Sequence, residues 1–308
     1  MRVFVTGASG WIGSAVVPEL IGAGHQVIGL ARSDASAAAL VAAGAEVQHG
    51  TLDDLGVLRS AAAASDGVIH LAFKHEIAFA GDFQGAADAD RRAVETFGDV
   101  LAGTDRPFVI ASGTLGVAPG RVATERDTPP DIGGGMQTRM GTAQLTVSLA
   151  ARGVRSSVMR LPPSVHGQGD HGFMAYLIHV ARYKRVSEYI AEGTNRWPAV
   201  HRTDAARLFR LALEKAPAGS VLHAVADEGV PTRTIADVIG RHLDLPVSSV
   251  AADNAAQQFG WIAPFFAIDG PASSTLTREL LEWEPTHPGL VEDLDKGHYF
   301  DDTSEFKW

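Results

Sequence analysis

Three glycines near the start of the chain, Gly7, Gly10 and Gly13, are spaced three and three. They follow the β-branched run Val3 to Thr6 and open a stretch of helical spacing, Ile12 to Ala23. Strand, glycine turn and helix in that order make a phosphate cradle. The turn is tight, the backbone comes close to a pyrophosphate, and the helix N-terminus offers amide donors and a favourable dipole. The context makes the signal, because the chain holds 33 glycines and three spaced ones alone say little. The second strand then selects the dinucleotide. An acidic residue at its end hydrogen-bonds a ribose 2′-hydroxyl, whereas an arginine accommodates a 2′-phosphate. Here the run from Gln26 to Leu30 passes through Ala31 into Arg32 and Ser33, and Asp34 comes one or two residues late. NADP(H) is therefore the expected cofactor, with Arg32 on the phosphate and Ser33 donating a further bond.

Three other places carry polar groups that could do chemistry. Ser112 and Thr114 follow the run Phe108 to Ala111, where a hydroxyl either meets a substrate or satisfies the strand end. Lys74 and His75 leave the run Gly67 to Leu71 at the sheet edge where open α/β folds bind ligands. His75 titrates near neutrality, and Lys74 could if desolvated. The segment His166-Gly-Gln-Gly-Asp170-His171 holds two histidines and an aspartate, but its spacing fits no familiar zinc pattern, so no metal site is expected. His166 or His171 reaching a substrate is the preferred reading, with Asp170 capping the next helix. Tyr176 and Tyr183, seven apart on one helix face, and Trp197 with His201 border a cleft or fill a core.

The positioning elements are legible as alternation. Further strand-like runs at Glu46 to Gln48 and Ser157 to Leu161 alternate with helical stretches at Ala35 to Ala43, Leu55 to Ala64, Asp88 to Ala102 and Thr142 to Arg152. That pattern predicts βαβ units and a Rossmann-type, doubly wound parallel α/β sheet. After Leu161 the pattern loosens, with helices expected at Phe173 to Arg185, Thr203 to Lys215, Thr232 to His242 and Ser273 to Glu282, and a strand at Ser220 to Ala224. Residues 1–161 with 196–224 are expected to form the dinucleotide-binding domain. Residues 162–195 with 225–308 are expected to form a smaller substrate lobe.

Composition excludes several classes. The 308 residues include no cysteine, which removes disulfides, thiolate nucleophiles and thiolate metal sites. Acidic residues outnumber basic ones, 36 to 26, which disfavours a nucleic-acid groove. No apolar run approaches the roughly 18 residues of a membrane span, and no signal-peptide pattern opens the chain. A cytoplasmic protein acting on a small molecule, without nucleic-acid or membrane partners, is expected.

The segment Val5-Thr6-Gly7-Ala8-Ser9-Gly10-Trp11-Ile12-Gly13 resembles the start of an extended or atypical short-chain dehydrogenase/reductase, the group also called NAD-dependent epimerase/dehydratase. Val68 to Ala72 resembles the fourth-strand end beside the cofactor. Val109 to Thr114 resembles the fifth strand with its catalytic serine or threonine. Pro162 to Gly167 resembles the loop that contacts the nicotinamide, and Val200 to Asp204 the opening of a late helix. The resemblance implies cofactor contacts from Ser9, Trp11, Ile12, Leu52, Leu71, Ala72, Phe73, Pro162, Ser164 and Val165. It also implies a homodimer paired through Asp88–Ala102 and Thr142–Arg152.

One family feature is missing. Members generally carry a tyrosine with a lysine four residues on, the phenol serving as acid or base while hydride moves. The four tyrosines here are 176, 183, 189 and 299, and none has lysine four residues later. The expected pair falls near Met136 and Met140, whose thioethers cannot act as acids and are read as substrate contacts. Arg139 beside them can bind charge but not donate a proton. Reduction of an iminium ion needs no added proton, so hydride transfer to C=N, or to C=O with a substitute acid, is the expected activity. The alternative is a non-catalytic NADP(H)-binding sensor. Nucleotide-sugar epimerase or dehydratase chemistry, which begins by oxidising a hydroxyl, suits this chain less.

Overall fold

The computed structural model describes residues 1–130 and 133–301, and at 135–137 the backbone alone. Its central sheet contains β1 (Arg2–Thr6), β2 (Gln26–Ala31), β3 (Glu46–His49), β4 (Gly67–His70), β5 (Pro107–Gly113) and β6 (Arg155–Leu161). A late strand, Ser220–His223, numbered β10, completes it. All seven pair in parallel in the order β10-β6-β5-β4-β1-β2-β3. The order reverses at β1, which makes the end of β1 the switch point where such sheets hold ligands.

Side chains alternate between the two faces, as the strand period requires. Val3, Val5, Ile69, Val109 and Met159 pack with α1 (Gly13–Gly22) and α8 (Arg202–Lys215) through Val16, Leu20, Leu208 and Phe209. Phe4, Val68, Phe108 and Val158 pack on the other face with α3 (Leu55–Ala63) and α5 (Phe83–Leu101) through Leu58, Val94 and Phe97. Helices α2 (Asp34–Ala42) and α6 (Gly134–Ser148) complete the layers, and α4 (His75–Phe79) is a short helix leaving β4.

A second apolar cluster lies beyond the sheet. It joins Met174, Leu177 and Ile178 of α7 (Phe173–Lys184) to Ile235 and Ile239 of α9 (Thr232–Leu243), with Trp197, Phe259, Phe266 and Leu290. Around it run β7 (Ser164–His166), β9 (Arg196–His201) and β11 (Asp227–Pro231), with the pair β8 (Ser187–Ile190) and β12 (Val247–Val250). Short helices α10 (Ala255–Phe259), α11 (Ala263–Phe266), α12 (Thr275–Leu281) and α13 (Leu290–Asp295) follow. No helix among the described residues is long and apolar enough to cross a membrane.

The doubly wound parallel sheet is as the alternation predicts, with strand ends within two residues. The helix expected from Asp88 starts at Phe83, because the Asp82 carboxylate accepts the Gly85 N–H at 2.8 Å and caps it earlier. The helix expected from Thr142 starts at Gly134, inside a glycine-rich stretch that reads as loop. Strands β7, β8, β9, β11 and β12 went unread, since they are three to six residues long and pair with distant segments.

Candidate functional site

At the glycine turn the backbone leaves no room for side chains. Gly7 has φ of 65°, and a Cβ there would stand 2.7 Å from the Ala72 nitrogen. A Cβ on Gly13 would stand 2.1 Å from the Gly7 carbonyl oxygen. Ser9 and Gly10 lie exposed on the crest, where the Gly10 N–H donates to Gly7 at 3.0 Å. Ile12 gives α1 no side-chain cap, and the first turn holds no acid. The Ser14, Ala15 and Val16 N–H groups turn back onto the Gly10 and Ile12 carbonyls, so an anion would be met by the turn itself and by the positive end of the α1 dipole, and the cradle fits a dinucleotide pyrophosphate.

Behind the cradle runs a buried polar chain. The Ala72 N–H donates to Thr6 Oγ1 at 3.2 Å, Thr6 Oγ1 lies 2.7 Å from His70 Nδ1, and His70 Nε2 lies 3.1 Å from Asp90. The Leu71 N–H also donates to the Thr6 carbonyl at 3.2 Å. These bonds fix the end of β4 against β1. On the other side Trp11 Nε1 donates to the Val165 carbonyl at 2.7 Å, under the Arg202 guanidinium at 4.0 Å and beside the exposed His171 ring. The cradle is thereby tied to the segment that holds buried Pro162 and Ser164, whose hydroxyl is enclosed without a partner.

At the end of β2 Arg32 does not stand free. Both of its terminal nitrogens meet the Glu76 carboxylate, which is held below its ordinary range by that bond. Both side chains are exposed. Ser33 caps α2 by accepting the Ser36 N–H at 3.2 Å, and Leu52 is buried in the apolar cluster. Lys74 is bound to Asp53 at 2.6 and 2.8 Å.

At the end of β5 Thr114 is 1% exposed and its hydroxyl has no partner. Thr114 lines a cavity of about 280 Å³ together with Gly116, Pro119, Ile268 and Asp269, while Ser112, two residues back, is half-buried. Met140 is buried, its terminal methyl 3.7 Å from where a Gly116 Cβ would stand. The Met136 side chain lies outside the described residues.

An aromatic row runs from β4 to the second cluster. His75 lies between Phe73 at 5.1 Å and Phe79 at 5.5 Å, Phe79 meets Trp261 at 4.4 Å, and Trp261 meets Tyr176 at 5.2 Å. Crowding by its neighbours, with the Arg139 charge, pushes the His75 imidazolium down to about 4, although the residue as a whole is exposed. At neutral pH His75 is an uncharged ring with a weak affinity for protons.

Other predicted contacts are enclosed. Trp197 is fully buried between Phe173 and Phe266. His166 is fully buried with Nδ1 2.9 Å from Asp293, which ties β7 to α13. The Tyr176 hydroxyl donates to the Phe259 carbonyl at 3.2 Å. Asp170 caps α7 only indirectly, accepting the Gly172 N–H at 2.7 Å. Tyr299 is a contributor that sequence reading missed. Its hydroxyl accepts the Gly167 N–H at 3.1 Å and donates to Asp170 at 2.9 Å, which holds the loop after β7. No local signal marked it, since its partners are about 130 residues away.

Among the described residues His201, Asp204 and His287 bring ligand atoms within 4.8 Å of one another. His201 Nδ1 accepts the Thr203 N–H, and Asp204 accepts the Thr286 and His287 N–H groups and faces His287 Nδ1 at 3.0 Å. The cluster pins the segment before α13 to α8.

A model of the NAD dependent epimerase/dehydratase family matches residues 3–225. An uncharacterized protein of Schizosaccharomyces pombe is 48% identical over 301 residues, which is 97% of this chain and 100% of that one. A 4-hydroxy-2-methyl-3-oxo-4-farnesyl-3,4-dihydroquinoline-1-oxide ketoreductase of Stigmatella aurantiaca is 28% identical over 232 residues, 72% of this chain and 67% of its own. Among solved structures, the dTDP-glucose 4,6-dehydratase DesIV of Streptomyces venezuelae with NAD bound superposes with a TM-score of 0.77 at 19% identity, covering 98% of each chain. That last likeness is one of fold.

Proposed function

The chain belongs to the NAD dependent epimerase/dehydratase family, and from that premise we propose that it is an NADP(H)-dependent reductase acting on a small-molecule C=O or C=N group. The dinucleotide, when bound, supplies the hydride. The cradle at Gly7 to Gly13 and the positive end of the α1 dipole hold its pyrophosphate. Arg32 takes the 2′-phosphate once it leaves Glu76. Thr114 carries the reading: a buried, unpartnered hydroxyl on a cavity at the C-terminal edge of the sheet is placed to hold a substrate's reacting oxygen or nitrogen.

The chain provides no tyrosine–lysine pair to protonate a developing alkoxide. An iminium substrate brings its own proton, so we favour C=N over C=O. We also retain the division into a dinucleotide domain, 1–161 with 196–224, and a substrate lobe, 162–195 with 225–308. A homodimer paired through α5 and α6 completes the proposal.

The test is oxidation of NADPH and NADH with a panel of cyclic imines and activated ketones. Turnover with NADPH preferred, and imines faster than ketones, supports the reading. Tight NADPH binding with no turnover supports a sensor instead. Conversion of UDP- or dTDP-sugars without net NADPH oxidation supports the nucleotide-sugar reading.

A further inference from the structure

Arg139 stands on α6 with its guanidinium carbon 3.7 Å above the Phe73 ring. Its Nη1 is sealed from solvent and has no hydrogen-bond partner, and no ion pair holds the side chain among the described residues. The side chain as a whole is half-buried, but a guanidinium nitrogen enclosed without an acceptor is costly, and a ring face with a distant carboxylate returns only part of that cost. Asp90 supplies the distant field, while its own oxygen stays on His70.

The other cations on the neighbouring segments have carboxylate partners: Lys74 and Arg92 share Asp53, Arg32 meets Glu76 and Arg91 meets Glu95. His75, next to Phe73, adds no charge at neutral pH. Arg139 alone of these has no carboxylate in ion-pair contact among the described residues, so an anionic group of a ligand would give it one. A guanidinium fork takes a carboxylate with two parallel bonds, whereas a phosphate dianion calls for a second cation.

The neighbours of Arg139 adjoin both the cradle and the cavity. Phe73 follows Ala72, whose backbone abuts the glycine cradle. Met140, the next residue on α6, reaches Gly116 in the loop that carries Thr114. The same turn of α6 thus addresses both the cradle and the cavity.

We propose that Arg139 binds the carboxylate of the substrate, so that the hydride acceptor is a carboxylate-bearing carbonyl or imine compound of the 2-oxo acid type. This rests on the reductase reading for the acceptor's identity, but the anion site itself stands without it.

Isothermal titration separates the two. The probes are phenylglyoxylate, its uncharged amide and inorganic phosphate, each added to the protein with and without NADPH. Phenylglyoxylate is expected to bind at least tenfold more tightly than the amide or phosphate in both conditions. Arg139→Gln is expected to erase that preference and Arg139→Lys to keep part of it. Removal of an uncompensated cation is also expected to leave the melting temperature of the ligand-free Arg139→Gln protein equal or higher, which a merely structural arginine would not do. Equal binding of acid and amide by the unmodified protein, a preference for phosphate, or a preference that survives Arg139→Gln overturns the carboxylate site. Failure of NADPH to bind, with the acid preference intact, overturns the reductase reading alone.

Discussion

Arg32 cannot meet a cofactor phosphate while both of its terminal nitrogens lie on Glu76. Glu76→Gln removes the competing charge, and an exposed pair of this kind is worth about 0.2–1 kcal/mol. NADPH affinity, read by fluorescence titration, should therefore tighten by up to about fivefold, with NADH nearly unchanged. A weaker grip on NADPH would count against the 2′-phosphate role. Thr114→Val deletes a hydroxyl that has no partner, so the fold should hold its melting temperature while kcat drops on the order of 10²-fold, the range seen when one transition-state donor is lost. Unchanged turnover would remove Thr114 from the chemistry. Arg32 and Thr114 were legible because each sits at the end of a recognisable strand. Glu76 was not, because it lies 44 residues from its partner on a five-residue helix without periodicity.

Loops at the sheet edge depend on remote elements for their shape. The turn after β7 is held by Tyr299, which bridges the Gly167 N–H and the half-buried Asp170 carboxylate. Burial raises the Asp170 affinity for a proton, and the phenol of Tyr299 is raised further still, so the phenol remains the donor across the ordinary pH range. Tyr299→Phe leaves the Gly167 N–H and one Asp170 oxygen without the phenol, Asp170 keeping its bond from Gly172, and should cost about 1–3 kcal/mol in urea unfolding. Proteolysis within 167–172 should speed up in step, and no change in either would mean that the loop holds itself. The helices of the sheet layers were legible from their apolar spacing. The strands around the second cluster were not, since a strand of four residues such as β8 gains its stability from β12, about 60 residues away.

Across the whole molecule, histidines that are buried neutral set the acid side of stability. His223 is fully enclosed, its Nδ1 2.8 Å from the Ser273 carbonyl and its Nε2 beside Arg160. Burial first, and the Arg160 charge second, push it down to about 4. His201 is pushed to about 4 by burial and by His166 and His287. In the unfolded chain these rings take protons near pH 6.5, so the unfolded state gains protons first as pH falls. Stability is full above about 6.5, declines towards about 4 and levels off below it as far as these groups are concerned. Urea midpoints at pH 7.5, 6, 5 and 4.5 should fall in that order, and a flat series would contradict the assignment. At the same scale, light scattering at micromolar concentration should give twice the chain mass if α5 and α6 pair two copies. A single-chain mass would remove the dimer.

Local pattern decided the α/β alternation, the seven strands of the main sheet and the cradle, because apolar periodicity and a glycine turn between strand and helix are written over fewer than about 20 neighbouring residues. The same reading showed that none of the four tyrosines has a lysine four residues on. Only the tertiary structure decided which charges are spent and which are free. It paired Arg32 with Glu76 and Lys74 with Asp53, enclosed His166 and Trp197, and left Arg139 Nη1 and the Thr114 hydroxyl without hydrogen-bond partners. Ion pairing and burial depend on approaches between segments far apart in the chain, and no spacing along the sequence records them.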